Sequence, residues 1–288
     1  MSWTHLIRFI AVEDSQTHLG QLVDPTRDIG EDSVNGIDIA AYLINGDIFN
    51  GRLLSPLPPS TCTYIRCLGL NYTDHAKEAN LSLPTAPTIF SKPRTALNGP
   101  YPATINVPKC AQDGTSDYEA ELCFVIGKTG RDIPESEALD YVLGYTASND
   151  VSARGLQFVT SQWGFSKGLD GSCPIGIHPL SYFFHRLWLG PVLVSTSAIA
   201  DPQTLSVQAI HNGVVCQDGH TENMIFSVKK TIAYLSQGTT LEAGTIILTG
   251  TPAGIGFFKE PRVVLRDGDD IRVRIGGVGT LVNKVRYE

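Results

Sequence analysis

Asp117-Tyr118-Glu119-Ala120-Glu121-Leu122-Cys123-Phe124-Val125-Ile126-Gly127 sets two glutamates, two residues apart, against an uninterrupted apolar run. Leu122 to Ile126 reads as a buried strand. Side chains alternate faces along a strand, so Glu119 and Glu121 share one face at its mouth. Like charges that close repel and resist desolvation. A hard divalent cation relieves both costs, because carboxylate oxygens suit Mg2+, Mn2+ or Ca2+. A solvated strand end carries the same pattern, so the choice between the two depends on what the rest of the chain brings to it.

Working outward, short apolar runs punctuated by Gly, Pro and Asn dominate from about residue 60: Tyr64 to Leu70, Thr88 to Phe90, Tyr141 to Thr146, Val192 to Ser195, Val207 to His211, Thr245 to Thr249, Ile271 to Ile275 and Val282 to Tyr287. Asn212-Gly213 and Asp267-Gly268 are turn signals between them. Helical stretches are few, near 72–78, 136–139 and 226–236. The pattern is α+β and β-dominated, without the strict strand–helix alternation of a doubly wound sheet. Residues 1–57 read as a small N-terminal domain, with strands near 6–12 and 18–23 and a helix near 36–44. Pro56, Pro58 and Pro59 continue neither a helix nor a central strand, and they mark a linker to a larger domain over 58–288.

Composition excludes several classes. With 22 basic and 29 acidic residues the formal net charge is −7, and no basic patch alternates with aromatics. Nucleic acid is therefore not an expected partner. No apolar stretch reaches the about eighteen residues of a membrane span, and the opening residues lack the basic-then-apolar form of a secretory leader. The six cysteines, at 62, 67, 110, 123, 173 and 216, form no Cys-x-x-Cys pair. They read as free thiols in a reducing, cytoplasmic setting, and their spacing fits no zinc site.

Four further segments carry reactive side chains. Asp150 follows the apolar run at 141–146 and is either a helix N-cap or a third cage carboxylate. Lys167, between small residues of an apolar loop, is either a surface lysine or a site cation. His75 and Glu78 are helix neighbours: a solvated face, or a carboxylate orienting an imidazole general base. Thr249-Gly250-Thr251-Pro252-Ala253-Gly254-Ile255-Gly256 is either a tight turn or a close approach to a ligand; it lacks the Lys-Ser/Thr ending of a phosphate loop.

Taken together these blocks resemble the fumarylacetoacetate hydrolase family. They are Gly69-Leu70-Asn71-Tyr72 with His75 and Glu78; Asp117 to Leu122; Asn149-Asp150-Val151-Ser152-Ala153-Arg154 with Gln157; Lys167-Gly168 before Pro174-Ile175-Gly176; and Thr249 to Gly256. The resemblance covers about residue 60 to the C-terminus. It implies a mixed β-roll or β-sandwich catalytic domain, commonly dimeric, that binds Mg2+ (or Mn2+ or Ca2+) through Glu119, Glu121 and Asp150. It further implies a His75–Glu78 base dyad on a lid, Lys167 as active-site lysine, and Arg154, Gln157 and Thr251 at the substrate. The implied activity is hydrolysis of a C–C bond in an anionic 1,3-diketo acid, of acylpyruvate or fumarylacetoacetate type. His75–Glu78 activates water, and the leaving group departs as a metal-held enolate. Decarboxylation of an oxaloacetate-like acid, or isomerisation, is the alternative use of the same site. Three carboxylates around a 2+ ion leave one negative charge, which Lys167, with Arg154, offsets.

Overall fold

The quoted run lies at the centre of the molecule. A computed structural model describes residues 3–11, 14, 16–44, 62–176 and 192–288. In chain order the strands of its two large sheets are β1 (His5–Ile10), β2 (Thr17–Leu22), β3 (Ala41–Leu43), β4 (Ile65–Leu68), β5 (Ile89–Lys92), β6 (Thr104–Val107), β7 (Ala120–Ile126), β8 (Val142–Asn149), β9 (Leu193–Ser195), β10 (Ser206–His211), β11 (Val214–His220), β12 (Ile246–Leu248), β13 (Asp270–Ile275) and β14 (Gly279–Tyr287). The helices are α1 (Ile29–Val34), α2 (Thr73–Glu78), α3 (Arg154–Gln157) and α4 (Val228–Leu235). Nine strands pair in the order β3-β2-β1-β9-β8-β7-β12-β4-β5 and five in the order β11-β10-β13-β14-β6. Both sheets are mixed, β12–β4 and β14–β6 being parallel pairs. The molecule is mostly sheet with few helices, and its large sheets form an open sandwich, not a closed barrel.

Period-two alternation explains why β7 is apolar throughout. Ala120, Leu122, Phe124 and Ile126 face the second sheet and share a core with Val207, Ala209, Ile271 and Val273. Cys123 and Val125 face the other way, into a smaller cluster with Ile65, Cys67, Leu193 and Leu248. Glu121 shares their parity, so it stands on the face away from the second sheet.

The opening segment joins this architecture. β1 pairs antiparallel with β9, His5 opposite Val194. Glu31 of α1 pairs with Arg274 at 3.0 Å and also with Arg272, tying the helix to the second sheet. The 57/58 boundary and its proline-rich linker lie outside the described residues. The helix expected near 36–44 is not formed. The helix lies earlier, at α1, because Asp28 caps it by accepting from the Glu31 N–H, and the chain turns away at Gly36 with φ +68°. Ala41 to Leu43 then pair with β2. The stretch at 136–139 is one part of a 3-10 turn over Glu135–Tyr141. Asn212 and Gly213, at φ 49° and 80°, make the expected hairpin turn between β10 and β11. Among the described residues no helix is long and apolar enough to cross a membrane.

Phe124 is fully buried between the sheets. Phe124→Ala is expected to lower the unfolding free energy by about 3–5 kcal/mol, measured by urea titration. A loss under about 1 kcal/mol would place the inter-sheet core elsewhere.

Candidate active site

Antiparallel register brings the acids together. Asn149 lies opposite Ala120 and Ser148 opposite Glu121, so the residue after β8 lands beside the residue before β7. The Asp150 N–H donates to the Glu119 carbonyl at 2.9 Å, and the Glu119 N–H to Asn149 Oδ1 at 3.0 Å. Glu119, Glu121 and Asp150 are all buried and offer oxygens within 4.8 Å of one another, a span that one hard cation with bonds of about 2.0–2.6 Å can bridge. Asp150 is not a helix cap, because α3 starts at Arg154 with Ala153 before it.

The donors fit a hard divalent ion. All are carboxylate oxygens, and Glu121 Oε1 is buried with no hydrogen-bond partner among the described residues, while Oε2 accepts from the Gly250 N–H at 2.6 Å. An orphaned buried oxygen is costly unless something positive meets it. Burial pushes the Glu121 carboxyl well above its usual range, with Asp150 and Glu119 adding to the shift.

Buried cations surround the cage. Lys167 Nζ lies 2.6 Å from Glu119 and 2.8 Å from Asp150. Arg154 pairs with Asp117 and Glu119, each at 2.8 Å, and donates to Gln157 at 3.0 Å. Lys92 lies 2.8 Å from Asp150 Oδ1, donates to the Ser172 carbonyl at 3.0 Å, and also reaches the Lys167 carbonyl. Burial pushes Glu119 up, yet Lys167 and Arg154 overcome it and hold the carboxyl at about 2. Burial opposes the charge on Lys167, but Asp150 and Glu119 outweigh it and stabilise the ammonium. With every member ionised, four acids (117, 119, 121, 150) face three cations (92, 154, 167). A divalent ion would make this cluster net positive, an environment for an anionic ligand.

The dyad is formed. His75 Nδ1 lies 3.0 Å from Glu78 Oε2, and Glu78 Oε1 accepts from the Gly254 N–H at 2.9 Å. With Nδ1–H held by Glu78, Nε2 is the basic nitrogen. The glycine-rich turn therefore holds both halves of the site: its Gly250 binds Glu121 and its Gly254 binds Glu78. Gly254 has φ +101°, and a Cβ there would lie 2.3 Å from the Cys216 carbonyl, so only glycine fits.

Thr251, expected at the substrate, has its hydroxyl engaged within the protein. It donates to the Ala120 carbonyl at 2.9 Å and accepts from Gln217 at 2.7 Å. Gln217 also accepts from the Ala120 N–H at 2.9 Å, so this pair fastens the turn to β7. Arg154 and Gln157 lie in the buried network behind Glu119. Three partners escaped the sequence reading. Asp117 carried a signal, since it lies two residues before Glu119. Lys92 and Gln217 carried none, because their roles arise from chain segments distant in sequence.

A family model described as "Fumarylacetoacetate (FAA) hydrolase C-terminal" matches residues 64–286. The chain is 42% identical over 307 residues to caffeoylpyruvate hydrolase of Neonothopanus nambi, covering 100% of this chain and 94% of that protein. It is 38% identical to the mitochondrial oxaloacetate tautomerase FAHD2A of Homo sapiens, covering 81% and 72%. Among solved structures it resembles fumarylpyruvate hydrolase from Pseudomonas aeruginosa in complex with Mn2+ and pyruvate, with TM-score 0.65, 30% identity, and coverage of 78% and 90%.

Glu121→Gln is expected to weaken Mn2+ binding in calorimetry by more than about 100-fold, beyond the 10–100-fold typical of losing an outer-shell partner. Undiminished affinity would remove Glu121 from the cage. Lys92→Met strips Asp150 of a buried counter-charge and should lower the unfolding free energy by about 3–5 kcal/mol. A denaturation midpoint equal to that of the parent would show that Asp150 does without Lys92.

Proposed function

Because the chain belongs to the fumarylacetoacetate hydrolase family, we propose that it is a divalent-metal-dependent hydrolase that cleaves the C–C bond of an acylpyruvate, a 1,3-diketo acid. One observation carries this reading: a single glycine-rich turn fixes an imidazole–carboxylate dyad against a three-carboxylate cage. When bound by Glu119, Glu121 and Asp150, the cation supplies Lewis-acid polarisation and a template for the keto-acid end. Mg2+ is the proposed resident ion, with Mn2+ or Ca2+ as substitutes. The neighbour that holds Mn2+ and pyruvate supports the chemistry, since pyruvate is a product of the proposed reaction.

Glu78 holds the Nδ1–H of His75, and Nε2 takes a proton from water. The hydroxide adds to the acyl carbonyl carbon, and Lys167 balances the oxyanion. The bond to the methylene carbon then breaks. The acyl group leaves as a carboxylic acid, and the pyruvate carbon takes the proton back from His75. One water is consumed and two organic acids form. The carboxylates of Glu119 and Asp150 keep the buried Lys167 charged, so the positive charge is preset before substrate arrives.

The oxaloacetate tautomerase relative favours a second reading: the same cage acting on an oxaloacetate-like acid by isomerisation or decarboxylation, without water activation. We also propose a homodimer and a cytoplasmic setting. The second rests on the six free cysteines, four of them buried.

His75→Ala is expected to lower kcat on acylpyruvates by about 10²–10⁴-fold with Mn2+ affinity retained. Unchanged turnover would release His75 from its role. Product analysis separates the readings: two organic acids mean hydrolase, CO2 means decarboxylase, and conserved mass means isomerase.

A further inference from the structure

Beside the dyad runs a row of aromatic rings that the proposed chemistry leaves unused. The Phe258 ring lies 6.2 Å from that of His75, Phe257 lies 5.4 Å from Phe258 at 75°, and Phe158 lies 5.2 Å from Phe257 at 38°. These spacings are those of favourable aromatic contacts. Phe258 is 41% and Phe158 67% exposed. Single exposed apolar residues are ordinary, but a contiguous aromatic row next to a catalytic dyad is a binding surface.

The row is fastened to the charged cage. Asp117 accepts from the Gly256 N–H at 2.9 Å and the Phe257 N–H at 3.1 Å. The same Asp117 pairs with Arg154, which pairs with Glu119. Phe158 is the C-cap of α3, and its N–H bonds the Arg154 carbonyl at 3.3 Å. Phe257 thus hangs from Asp117 and Phe158 from the backbone of Arg154, the two partners of one buried ion pair that also touches a cage carboxylate. A Cβ at residue 256 would lie 1.7 Å from the Val263 carbonyl, so Gly256 is required for this loop path.

We infer that Phe158, Phe257 and Phe258 form the acyl-side subsite and select a planar aromatic acyl group. The inference rests on the acylpyruvate reading. There the keto-acid end sits at the cage, the cleaved carbonyl beside His75, and the acyl substituent extends past His75 onto Phe258. A flat conjugated group covers ring surface that a methyl group leaves wet. A distal carboxylate would lose hydration against the same rings. Arg262, its guanidinium 4.3 Å from the Phe257 ring centroid, is already engaged by the ring.

Three ligands without a second carbonyl separate subsite from turnover: 2-oxobutanoate, 2-oxo-4-phenylbutanoate and 2-oxoglutarate, titrated by calorimetry into the Mg2+-loaded protein. The phenyl ligand is expected to bind at least about tenfold tighter than either other ligand. The preference should fall below about threefold in Phe258→Ala and in Phe158→Ala. Both side chains are exposed, so neither change opens a core cavity; Phe258→Leu, which keeps bulk and loses the ring, should fall between the parent and Phe258→Ala. Equal affinities, tighter 2-oxoglutarate, or a preference that survives both alanine variants would overturn the subsite. Because binding needs no cleavage, a protein that cleaves no acylpyruvate would refute the hydrolase reading while these ratios still decide the subsite.

Discussion

Mutual repulsion among Glu119, Glu121 and Asp150 is the constraint around which the site is built. Three buried carboxylates with oxygens inside 4.8 Å are unfavourable unless opposite charge surrounds them. The protein supplies part of that charge permanently, through Lys92, Lys167 and Arg154, each buried and each in contact with one or more of the acids. It leaves Glu121 to a different partner. One oxygen of Glu121 receives a backbone N–H and the other receives nothing from the described residues. Of the three acids, Glu121 is the one whose charge most requires a cation.

The sandwich exists in the form it does because such a site needs rigid walls. Charged side chains 48 or more residues apart in sequence must hold hydrogen-bond distances, as Lys167 does to Glu119. A strand buried on both faces, locked by an antiparallel neighbour on each side, does not slip register without turning its glutamates into the core. The glycine-rich turn links that wall to α2. It meets Glu121 at Gly250 and Glu78 at Gly254, so one turn holds both the dyad and the cage.

Much of this was legible in the sequence where local pattern governs. Alternation put Glu119 and Glu121 on one face, helical spacing paired His75 with Glu78, and Asn212-Gly213 marked a hairpin. Joining the five blocks into one site came from resemblance, since no local rule says that Asp150 meets Glu119; β7–β8 register does. Failures follow the same line. The helix expected at 36–44 was misplaced because capping at Asp28 and the left-handed Gly36 outweighed side-chain pattern. Lys92 drew no reading, and the Thr251–Gln217 bond was not foreseen, because their partners, Ser172 and Gln217, come from distant segments.

Hydrolase and tautomerase chemistry share a first requirement, a keto acid polarised at the carboxylate cage, so the cage alone does not choose between them. The dyad favours water activation without being exclusive to it, since an imidazole beside a carboxylate also accepts a proton from an acidified carbon. The difference lies in what extends beyond the reacting carbon. Oxaloacetate ends in a second carboxylate one carbon past the keto group, and it would bring that charge toward His75 and the rings of Phe258 and Phe257. Aromatic surface offers a carboxylate no hydrogen bonds and removes its water. An acyl group with an apolar face gains there instead. The surface next to the dyad therefore weighs toward a longer, apolar substituent and, with it, toward cleavage by water.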